Sequence, residues 1–214
     1  MSCCCPEANS ASRFFSFFAR GYRKRYAKKG FEESQKQLVE GLQQAGFTGN
    51  TLLEIGSGVG YLHQTLLQQG AVSATGIDLS PKMIAEAVAG AKEKGLDDCT
   101  RYIQDDFVNI SETIDSADVT ILDKVVCCYP DADALVHKSL AHTNRVYALT
   151  YPRDRWFIRL GSKAMAGIFW LLRIDFRNYV HSPATLEQWI TDEGFSKQYE
   201  NQTKTWRTQV YVRP

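Results

Sequence analysis

The sequence predicts an α/β fold: a three-layer sandwich in which a mostly parallel β-sheet lies between layers of helices and is closed by an antiparallel C-terminal hairpin. Three observations predict it. Apolar strand-like runs alternate with helical patterns between about residues 51 and 150. A glycine-rich loop follows the first of these strands. Residues 195–212 favour two strands in succession, and these form a hairpin because no helix separates them.

Helix caps and glycines divide the alternating region into elements. Ser80 and Pro81 suit the N-cap and first turn of a helix, and Gly46, Gly70 and Gly95 suit helix ends. Strand–helix–strand units connect through right-handed crossovers, so the strands are predicted to be parallel. The predicted strands are 51–55, 72–77, 100–104, 118–122 and 145–150, and the predicted helices are 11–29, 32–45, 61–69, 80–94 and 131–142.

The composition is that of one packed domain. The chain has 214 residues, of which 44% are hydrophobic and 23% are charged, and this excludes disorder, collagen and coiled coil as descriptions of the whole.

Residues 164–172, the most apolar uncharged stretch, fall short of the roughly 20 residues that a membrane span needs. The first residues lack the apolar core of a signal peptide. Adjacent cysteines at 3–5 and 127–128 do not suit a disulfide framework, so we expect a cytoplasmic protein.

The charges are divided between a basic arm and an acidic remainder. Residues 1–31 contain seven basic residues and one acid, a net charge of +6, and the remainder has 18 basic and 23 acidic residues, a net charge of −5. The arm also carries Phe14, Phe15, Phe17 and Phe18. Phenylalanines among basic residues suit a lid helix or a helix on an anionic membrane surface. No recognised motif in the arm favours nucleic acid.

The segment 52–61, which reads LLEIGSGVGY, ends a strand in a loop with Gly56, Gly58 and Gly60. Ligands bind outside the carboxyl ends of strands in open parallel sheets, so this loop is predicted to form the floor of a ligand site. The dinucleotide fingerprint needs a glycine at the position of Tyr61, and the P-loop needs a Gly-Lys-Ser/Thr sequence that does not follow here. The loop therefore favours a different ligand.

Three acidic positions narrow the choice of ligand. Glu54, two residues before the first glycine, would repel a pyrophosphate but suits ammonium or sulfonium charge. S-adenosylmethionine has both charges and no phosphate. Asp78 comes 18 residues after Gly60, near the spacing of about 20 for an acid that binds ribose hydroxyls. Asp106, after the third strand, can accept a hydrogen bond from an adenine amino group.

Four segments resemble the class I S-adenosylmethionine-dependent methyltransferases: LLEIGSGVG, GIDLSPKMI, DDF and DVTILD, which lie in this order within about residues 50–150. The resemblance implies a Rossmann-like sheet of seven strands whose last strand is antiparallel. It also implies S-adenosylmethionine as cofactor and a reaction that leaves S-adenosylhomocysteine. The segment LDKVVCCYPD and the apolar residues beyond 150 are faintly similar to the magnesium-protoporphyrin methyltransferase branch, in which a carboxylate of a large flat ring is methylated.

The resemblance implies a role for each motif residue. Glu54 and the loop glycines would frame the methionine part of the cofactor, Asp78 would bind the ribose, and Asp106 the adenine amino group. Leu79 and Met83 would pack near the adenine, and the residue after Asp106 would stack on it or offer its amide. From the residues alone, Glu54 can instead cap a turn and Asp78 can be an N-cap acid. The predicted cofactor-binding residues are Glu54, Gly56, Ser57, Gly58, Gly60, Asp78, Leu79, Met83, Asp106 and Phe107.

The methyl acceptor is expected past the fourth strand, beside the glycine loop. Asp123 is the predicted base or acceptor-orienting group, with an ion pair to Lys124 or to a basic residue of the segments that cover the site as the alternative. His63, in the first turn after the loop, is within reach of the site. No histidine pair has helical metal-ligand spacing, so no metal is predicted. The predicted substrate-lining residues are Cys127, Cys128, Tyr129, Tyr151 and Arg153, of which the cysteines can equally be small buried apolar residues.

Two further segments surround this core. Residues 1–45 are predicted to form a lid, and residues 46–214 the methyltransferase domain, with a hydrophobic insertion at 151–182 that covers the acceptor site or packs on the body. The apolar insertion favours a small hydrophobic or aromatic acceptor. Peripheral membrane contact through 11–29 or 154–173 is an open alternative.

Other functions remain open from the sequence. They are a cofactor-binding protein without turnover, a nucleotide-dependent oxidoreductase, and an RNA or protein methyltransferase that uses the basic arm. Cys3, Cys4 and Cys5 suit a thiophilic metal or metalloid, acyl chains, or no function. We expect a small-molecule acceptor, because the sequence carries no strong nucleic-acid signal.

Overall fold

The computed structural model describes Ser16, Ala19, residues 21–171 and residues 179–214, and within them a seven-stranded sheet has the order β3-β2-β1-β4-β5-β7-β6. The strands are β1 (Thr51–Ile55), β2 (Ser73–Asp78), β3 (Thr100–Gln104), β4 (Ala117–Asp123), β5 (Thr143–Pro152), β6 (Ser196–Gln202) and β7 (Trp206–Val212). The helices are α1 (residues 21–29), α2 (Glu33–Ala45), α3 (Tyr61–Gln68), α4 (Pro81–Glu93), α5 (Phe107–Ile110), α6 (Ala132–Ala141), α7 (Trp156–Leu171) and α8 (Pro183–Asp192).

The sheet is parallel from β3 to β5 and antiparallel at its other edge. Leu53 of β1 lies opposite Thr75 of β2 and Thr120 of β4, and β3 and β5 continue in the same direction. β7 runs antiparallel to β5, and β6 antiparallel to β7. The predicted fold class is therefore confirmed. The crossovers reverse direction between β1 and β4, which is the point where ligands bind in such sheets.

Two hydrophobic clusters, one on each face of the sheet, hold the helices in place. Because successive side chains of a strand alternate between faces, Leu52 packs with Leu42 of α2 and Leu66 of α3. Its neighbour Leu53 packs in the opposite cluster, which includes Leu135 of α6 and residues of α8. Helices cover both faces, and this explains why the central strands are apolar throughout.

Several element boundaries differ from the prediction, and two of the differences affect the site. β5 continues to Pro152, two residues beyond the predicted end. The short helix α5 (Phe107–Ile110) was not predicted, because four residues give no readable helical period. Asp106 is its N-cap, and its carboxylate accepts a hydrogen bond from the N–H of Val108. β2 ends at Asp78 itself, which places that carboxylate at the carboxyl edge of the sheet.

Helix α7 presents apolar side chains to solvent. It occupies half of the predicted insertion, while residues 172–178 lie outside the described residues, as do Cys3–5 and the phenylalanines of the arm. Trp156 is 76% exposed and Leu171 is 74% exposed. The large exposed apolar side chains of this helix are Trp156, Phe157, Leu160, Met165, Ile168 and Leu171. In the described part of the chain, no helix is long and apolar enough to cross a membrane.

Candidate active site

A cleft of about 440 Å³ opens at the carboxyl ends of β1, β2 and β4. This volume lies in the usual range for small-molecule sites. The glycine loop and the strand ends form its inner wall, and residues of α1, the start of α2 and Trp206 of β7 form its outer wall. The cleft therefore lies at the switch point of the sheet, where the sequence predicts a ligand.

The three loop glycines all have left-handed backbone conformations, which non-glycine residues rarely adopt. Their φ angles are 66° at Gly56, 55° at Gly58 and 76° at Gly60. A Cβ at Gly56 would lie 2.5 Å from Cγ2 of Val125, so a side chain there would clash with the segment after β4. A Cβ at Gly58 would meet no atom within 4 Å. The loop therefore exposes backbone to the cleft at Gly58, where a ligand can approach closely.

Asp78 links the glycine loop to the start of α4 through two hydrogen bonds. Its Oδ2 accepts a hydrogen bond from the N–H of Gly58 at 2.8 Å, and its Oδ1 accepts one from the N–H of Ser80 at 2.8 Å. Burial raises the pKa of Asp78, and these two hydrogen bonds oppose the rise. Each carboxylate oxygen has a further lone pair, so Asp78 can still accept hydrogen bonds from hydroxyls in the cleft.

Glu54 lies beneath the loop and lines the cleft, with only 3% of its surface exposed. Its Oε2 lies 2.5 Å from Nδ1 of His63. Burial raises the pKa of Glu54, and the contact with His63 opposes the rise. His63 is fully buried, so it reaches the site through Glu54 rather than by lining it.

Asp106 forms the third acidic position of the cleft. The hydroxyl of Tyr129 donates to its carboxylate, with 3.0 Å to each oxygen. Burial raises the pKa of Asp106, against the effect of the Tyr129 hydrogen bond. Phe107 lines the cleft and is also part of the core. Leu79 and Met83 line the same inner end of the cleft, so the structure brings the three predicted acids and the predicted apolar contacts together.

This inner end fits the predicted cofactor. Glu54 lies near the end of β1, Asp78 ends β2 and Asp106 follows β3, so the acids form a row along the carboxyl edge of three neighbouring strands. The hydroxyl of Ser57 is buried at the cleft without a hydrogen-bond partner. A buried hydroxyl without a partner calls for an explanation, and a polar ligand bound at this surface supplies one.

Asp123 occupies the other side of the cleft, at the end of β4. Its Oδ2 accepts a hydrogen bond from Nε2 of Gln35 at 2.9 Å. Burial raises the pKa of Asp123, against the opposing effects of Lys124 and Gln35. Nζ of Lys124 contacts Glu32 at 3.2 Å, so the predicted alternative of an Asp123–Lys124 ion pair is not formed. The other carboxylate oxygen of Asp123, Oδ1, is buried without a hydrogen-bond partner.

Lys124 adopts a strained backbone conformation beside this carboxylate. Its φ is 62°, the only positive value among the described non-glycine residues. Such strain clusters at ligand sites. Its ammonium lies 5.0 Å from the ring centroid of Trp206, and it shares Glu32 with Arg25, whose guanidinium is 3.2 Å from that carboxylate. An aromatic surface and a group of charges thus form the outer end of the cleft.

Helix α1 covers the cleft. Tyr26 stacks on Tyr61, with ring centroids 3.9 Å apart, and Arg23 forms ion pairs with Glu86 and Glu93 of α4. Residues 22, 25 and 26 of α1 line the cleft. By contrast, the residues that line it include none from the described part of the 151–182 insertion.

Some predicted site residues lie elsewhere. Cys128 and Tyr129 line the cleft, but Cys127 is buried in the core with Sγ 3.4 Å from a backbone carbonyl. Tyr151 is buried in the core because β5 continues past it, and its hydroxyl donates to Gln209. Arg153 donates to the carbonyl of Thr203 in the hairpin. These three residues therefore do not line the cleft.

Other lining residues were not predicted. Gln35, Trp206, Tyr22 and Arg25 come from segments far from the motifs in the sequence. A possible signal for Trp206 was its position at the start of the last strand, but only the pairing of β7 with β5 brings it beside Lys124.

Comparisons with known proteins indicate a methyltransferase domain. Residues 52–146 match the model of the methyltransferase domain family. The ubiquinone biosynthesis O-methyltransferase of Pseudomonas paraeruginosa is 27% identical over 159 residues, which are 71% of this chain and 67% of that protein. The matched domain contains the glycine loop and all three cleft acids.

Solved structures show the same fold. Magnesium protoporphyrin IX methyltransferase from Synechocystis PCC 6803, with bound S-adenosylhomocysteine, is 23% identical with a TM-score of 0.71, over 97% of this chain and all of that one. Geranyl diphosphate C-methyltransferase from Streptomyces coelicolor is 12% identical with a TM-score of 0.71, over 99% of this chain and all of that one. Residues 52–146 thus match a methyltransferase domain, and this match, the sheet order and the cleft acids together support a class I S-adenosylmethionine-dependent methyltransferase with S-adenosylmethionine as its cofactor.

Proposed function

We propose that the chain transfers a methyl group from S-adenosylmethionine to a small acceptor that binds between α1, the end of β4 and the start of β7. The observation that carries this proposal is the continuity of the cleft. The same cavity is lined by Glu54, Asp78 and Asp106 at one end and by Asp123 and Trp206 at the other. A shared cavity suits transfer between two bound molecules, because it allows the reacting atoms to meet without exposure to water.

The inner end would hold the cofactor. Glu54 would face its amino end, Asp78 would accept from the ribose hydroxyls, and Asp106 would accept from the adenine amino group. Leu79 and Met83 would pack on the adenine. When bound, the cofactor supplies an already activated methyl group on its sulfonium, so the protein mainly positions the reactants and excludes water.

The outer end would hold an acceptor with a flat apolar part. Tyr22 and Trp206 contribute aromatic surface there, and Cys128 adds a small apolar side chain. Aromatic walls bury the faces of a ring system well. Lys124 and Arg25, the basic groups at this end, would interact favourably with one polar or anionic substituent of the acceptor. These features support a small hydrophobic or aromatic acceptor.

Asp123 is the proposed base. A protonated nucleophile must lose its proton during methyl transfer, and a carboxylate recessed in the cleft can accept it. The raised pKa of Asp123 makes it a stronger base than an ordinary aspartate. Gln35 holds one oxygen by a hydrogen bond, which leaves the other for the acceptor.

The experiment that tests this function is transfer of a labelled methyl group from S-adenosylmethionine into fractionated small-molecule extracts. The proposal predicts label in a low-mass, organic-soluble product, together with S-adenosylhomocysteine. Label only in RNA or protein would refute a small acceptor. Binding of S-adenosylmethionine without a labelled product in any fraction would refute turnover.

We also propose that α7 contacts an anionic membrane surface. Six of its large apolar side chains are exposed, and Arg155 and Lys163 are exposed basic residues beside them. This combination suits the interface of an anionic bilayer. Co-sedimentation with phosphatidylglycerol vesicles tests the proposal, and equal binding to neutral and anionic vesicles, or no binding at all, would refute it.

A further inference from the structure

A chain of hydrogen-bonded polar side chains leads from Glu54 away from the cleft, through His63 to Tyr102. Of these residues, only Glu54 has a role in the proposed reaction. Nδ1 of His63 lies 2.5 Å from Oε2 of Glu54, and the backbone N–H of His63 donates to the same oxygen at 3.3 Å. Nε2 of His63 lies 2.8 Å from the hydroxyl of Tyr102 on β3. The His63 side chain is fully buried. Both ring nitrogens are therefore engaged inside the protein.

The donors and acceptors give this series a direction. Nε2 of Gln64 can only donate, and it donates to the Tyr102 hydroxyl at 2.9 Å and to a backbone carbonyl. Oε1 of Gln64 accepts from Nζ of Lys94 at 3.0 Å. The Tyr102 oxygen thus accepts from Gln64, and its own proton is directed to Nε2 of His63. This arrangement leaves the ring N–H of His63 on Nδ1, from which it donates a hydrogen bond to Oε2 of Glu54.

Two glycines make room for the imidazole. A Cβ at Gly60 would lie 3.1 Å from Cε1 of His63, and a Cβ at Gly76 would lie 3.2 Å from the same atom. Real Cβ contacts are rarely so close. A Cβ at Gly60 would also lie 2.8 Å from Nε2 of Gln64. The third glycine of the loop therefore accommodates this hydrogen-bonded series, although it does not line the cleft itself.

We propose that His63 is a positioning residue for the cofactor: it holds the Glu54 carboxylate ionised and oriented for the amino group at the methionine end of S-adenosylmethionine. The proposal rests on the proposed role of Glu54 in cofactor binding. Both contacts of His63 reach Oε2, so Oε1 remains for the ligand. A hydrogen bond to the charged form of a buried carboxylate stabilises that form.

Other titratable groups surround the pair. Asp78 and Asp123 are acids close enough to Glu54 to disfavour a second negative charge. Lys94 is separated from the pair by Gln64 and Tyr102. Without the donor of His63, burial and the neighbouring acids would raise the pKa of Glu54 further. Binding of an ammonium group would then require a higher pH.

Calorimetric titration with S-adenosylhomocysteine from about pH 5.5 to 8.5 tests the proposal. The His63→Leu variant is expected to bind about tenfold to a hundredfold more weakly at neutral pH, because a hydrogen bond to a charged group is lost, and to recover part of the affinity as pH rises. The His63→Asn variant places an amide donor near the former Nδ1 and should retain most of the affinity.

A second ligand separates positioning from packing. The desamino analogue of S-adenosylhomocysteine lacks the amino group, so the His63→Leu substitution should leave its affinity near the wild-type value. An equal loss for both ligands, or an unchanged affinity for S-adenosylhomocysteine, would overturn the proposal. Failure of the wild-type protein to bind S-adenosylhomocysteine would instead refute the cofactor site on which the proposal rests.

A variant outside the pair keeps the test valid if His63→Leu does not fold. Tyr102→Phe removes the hydrogen bond that fixes the proton on Nδ1 but leaves Glu54 and His63 in place. It should weaken binding of S-adenosylhomocysteine in the same direction, with a larger loss at low pH and a smaller effect on the desamino analogue. A pH-independent loss, or no loss, would contradict the proposal.

Discussion

Substitution of Asp78 by asparagine tests the cofactor site with little change in shape. The aspartate accepts two backbone hydrogen bonds of 2.8 Å, from Gly58 and Ser80. Asparagine has one acceptor oxygen, so one of these N–H groups must face an NH₂ group. The ribose hydroxyls would also lose a charged acceptor. The substitution therefore acts on both the loop and the proposed ligand contact.

The two losses have different expected magnitudes. An unsatisfied buried N–H costs about 1–3 kcal/mol, which we expect as a decrease in the free energy of unfolding. A hydrogen bond to a charged group contributes about 1.5–3 kcal/mol, so loss of one ribose contact should weaken binding of S-adenosylhomocysteine about tenfold to 150-fold. The weaker binding should be seen at a temperature where the Asp78→Asn variant remains folded.

Asp118 provides a matched control at the opposite end of the same sheet. Its Oδ2 accepts from both the N–H and the hydroxyl of Thr51 at 2.9 Å. Asp118→Asn should lower the free energy of unfolding without changing cofactor affinity, because it lies at the amino ends of the strands. Calorimetry for affinity and urea unfolding for stability measure both variants. An unchanged affinity in Asp78→Asn, or an equal loss in Asp118→Asn, would refute the ribose assignment.

Four further predictions follow from the same geometry. Asp123→Asn should lower kcat about a hundredfold or more, with little change in the Kd of S-adenosylhomocysteine, and the reverse pattern in steady-state kinetics would move Asp123 into the cofactor site. Gln35→Leu removes a hydrogen bond that lowers the pKa of Asp123, so the acidic limb of the kcat profile should move to higher pH; an unmoved limb would contradict this. Hydrogen bonds from Thr51 lower the pKa of Asp118, so its stabilising contribution is present above about pH 4 and lost as pH falls through the lowered value; urea unfolding across that range should show a weaker acid dependence in Asp118→Asn than in the wild type. Replacement of Trp156 and Leu160 by serine should reduce binding to anionic vesicles severalfold without affecting methyl transfer to a soluble acceptor, and unchanged sedimentation would exclude α7 as the contact.

The fold was predictable because its local signals are strong and agree with one another. Strands β1 and β3 have the predicted bounds, since each is a short run between clear turn or helix signals. Ser80 and Pro81 begin α4 as predicted, with the Ser80 hydroxyl accepting from the N–H of Met83. The bounds failed where local signals were weak, as at α5.

The inner end of the cleft was predictable from topology. Glu54, Asp78 and Asp106 lie at or just beyond the carboxyl ends of three strands that are adjacent and parallel, so they meet at one edge of the sheet. The partner of Glu54 was harder to identify. Helix α3 turns His63 back beneath the loop, whereas the sequence alone shows only that His63 lies in the first turn of that helix.

The acceptor end was predicted less well, because distant segments build it. Tyr151 was predicted to face the acceptor, but two more residues of strand in β5 direct it into the core beside Gln209. Trp206 enters the cleft only because β7 inserts between β5 and β6. Gln35 reaches Asp123 from α2, 88 positions away in the chain. Such contacts are set by tertiary packing, which a local pattern does not specify.

One cleft is proposed to hold the cofactor on its row of acids and the acceptor beside Asp123. A crystal structure of the protein with S-adenosylhomocysteine tests this claim most directly. We predict hydrogen bonds from the ribose hydroxyls to Asp78 and from the adenine amino group to Asp106, with the amino end at Glu54 and the sulfur facing Asp123. A ligand bound outside the cleft, or with its sulfur directed away from Asp123, would contradict the account.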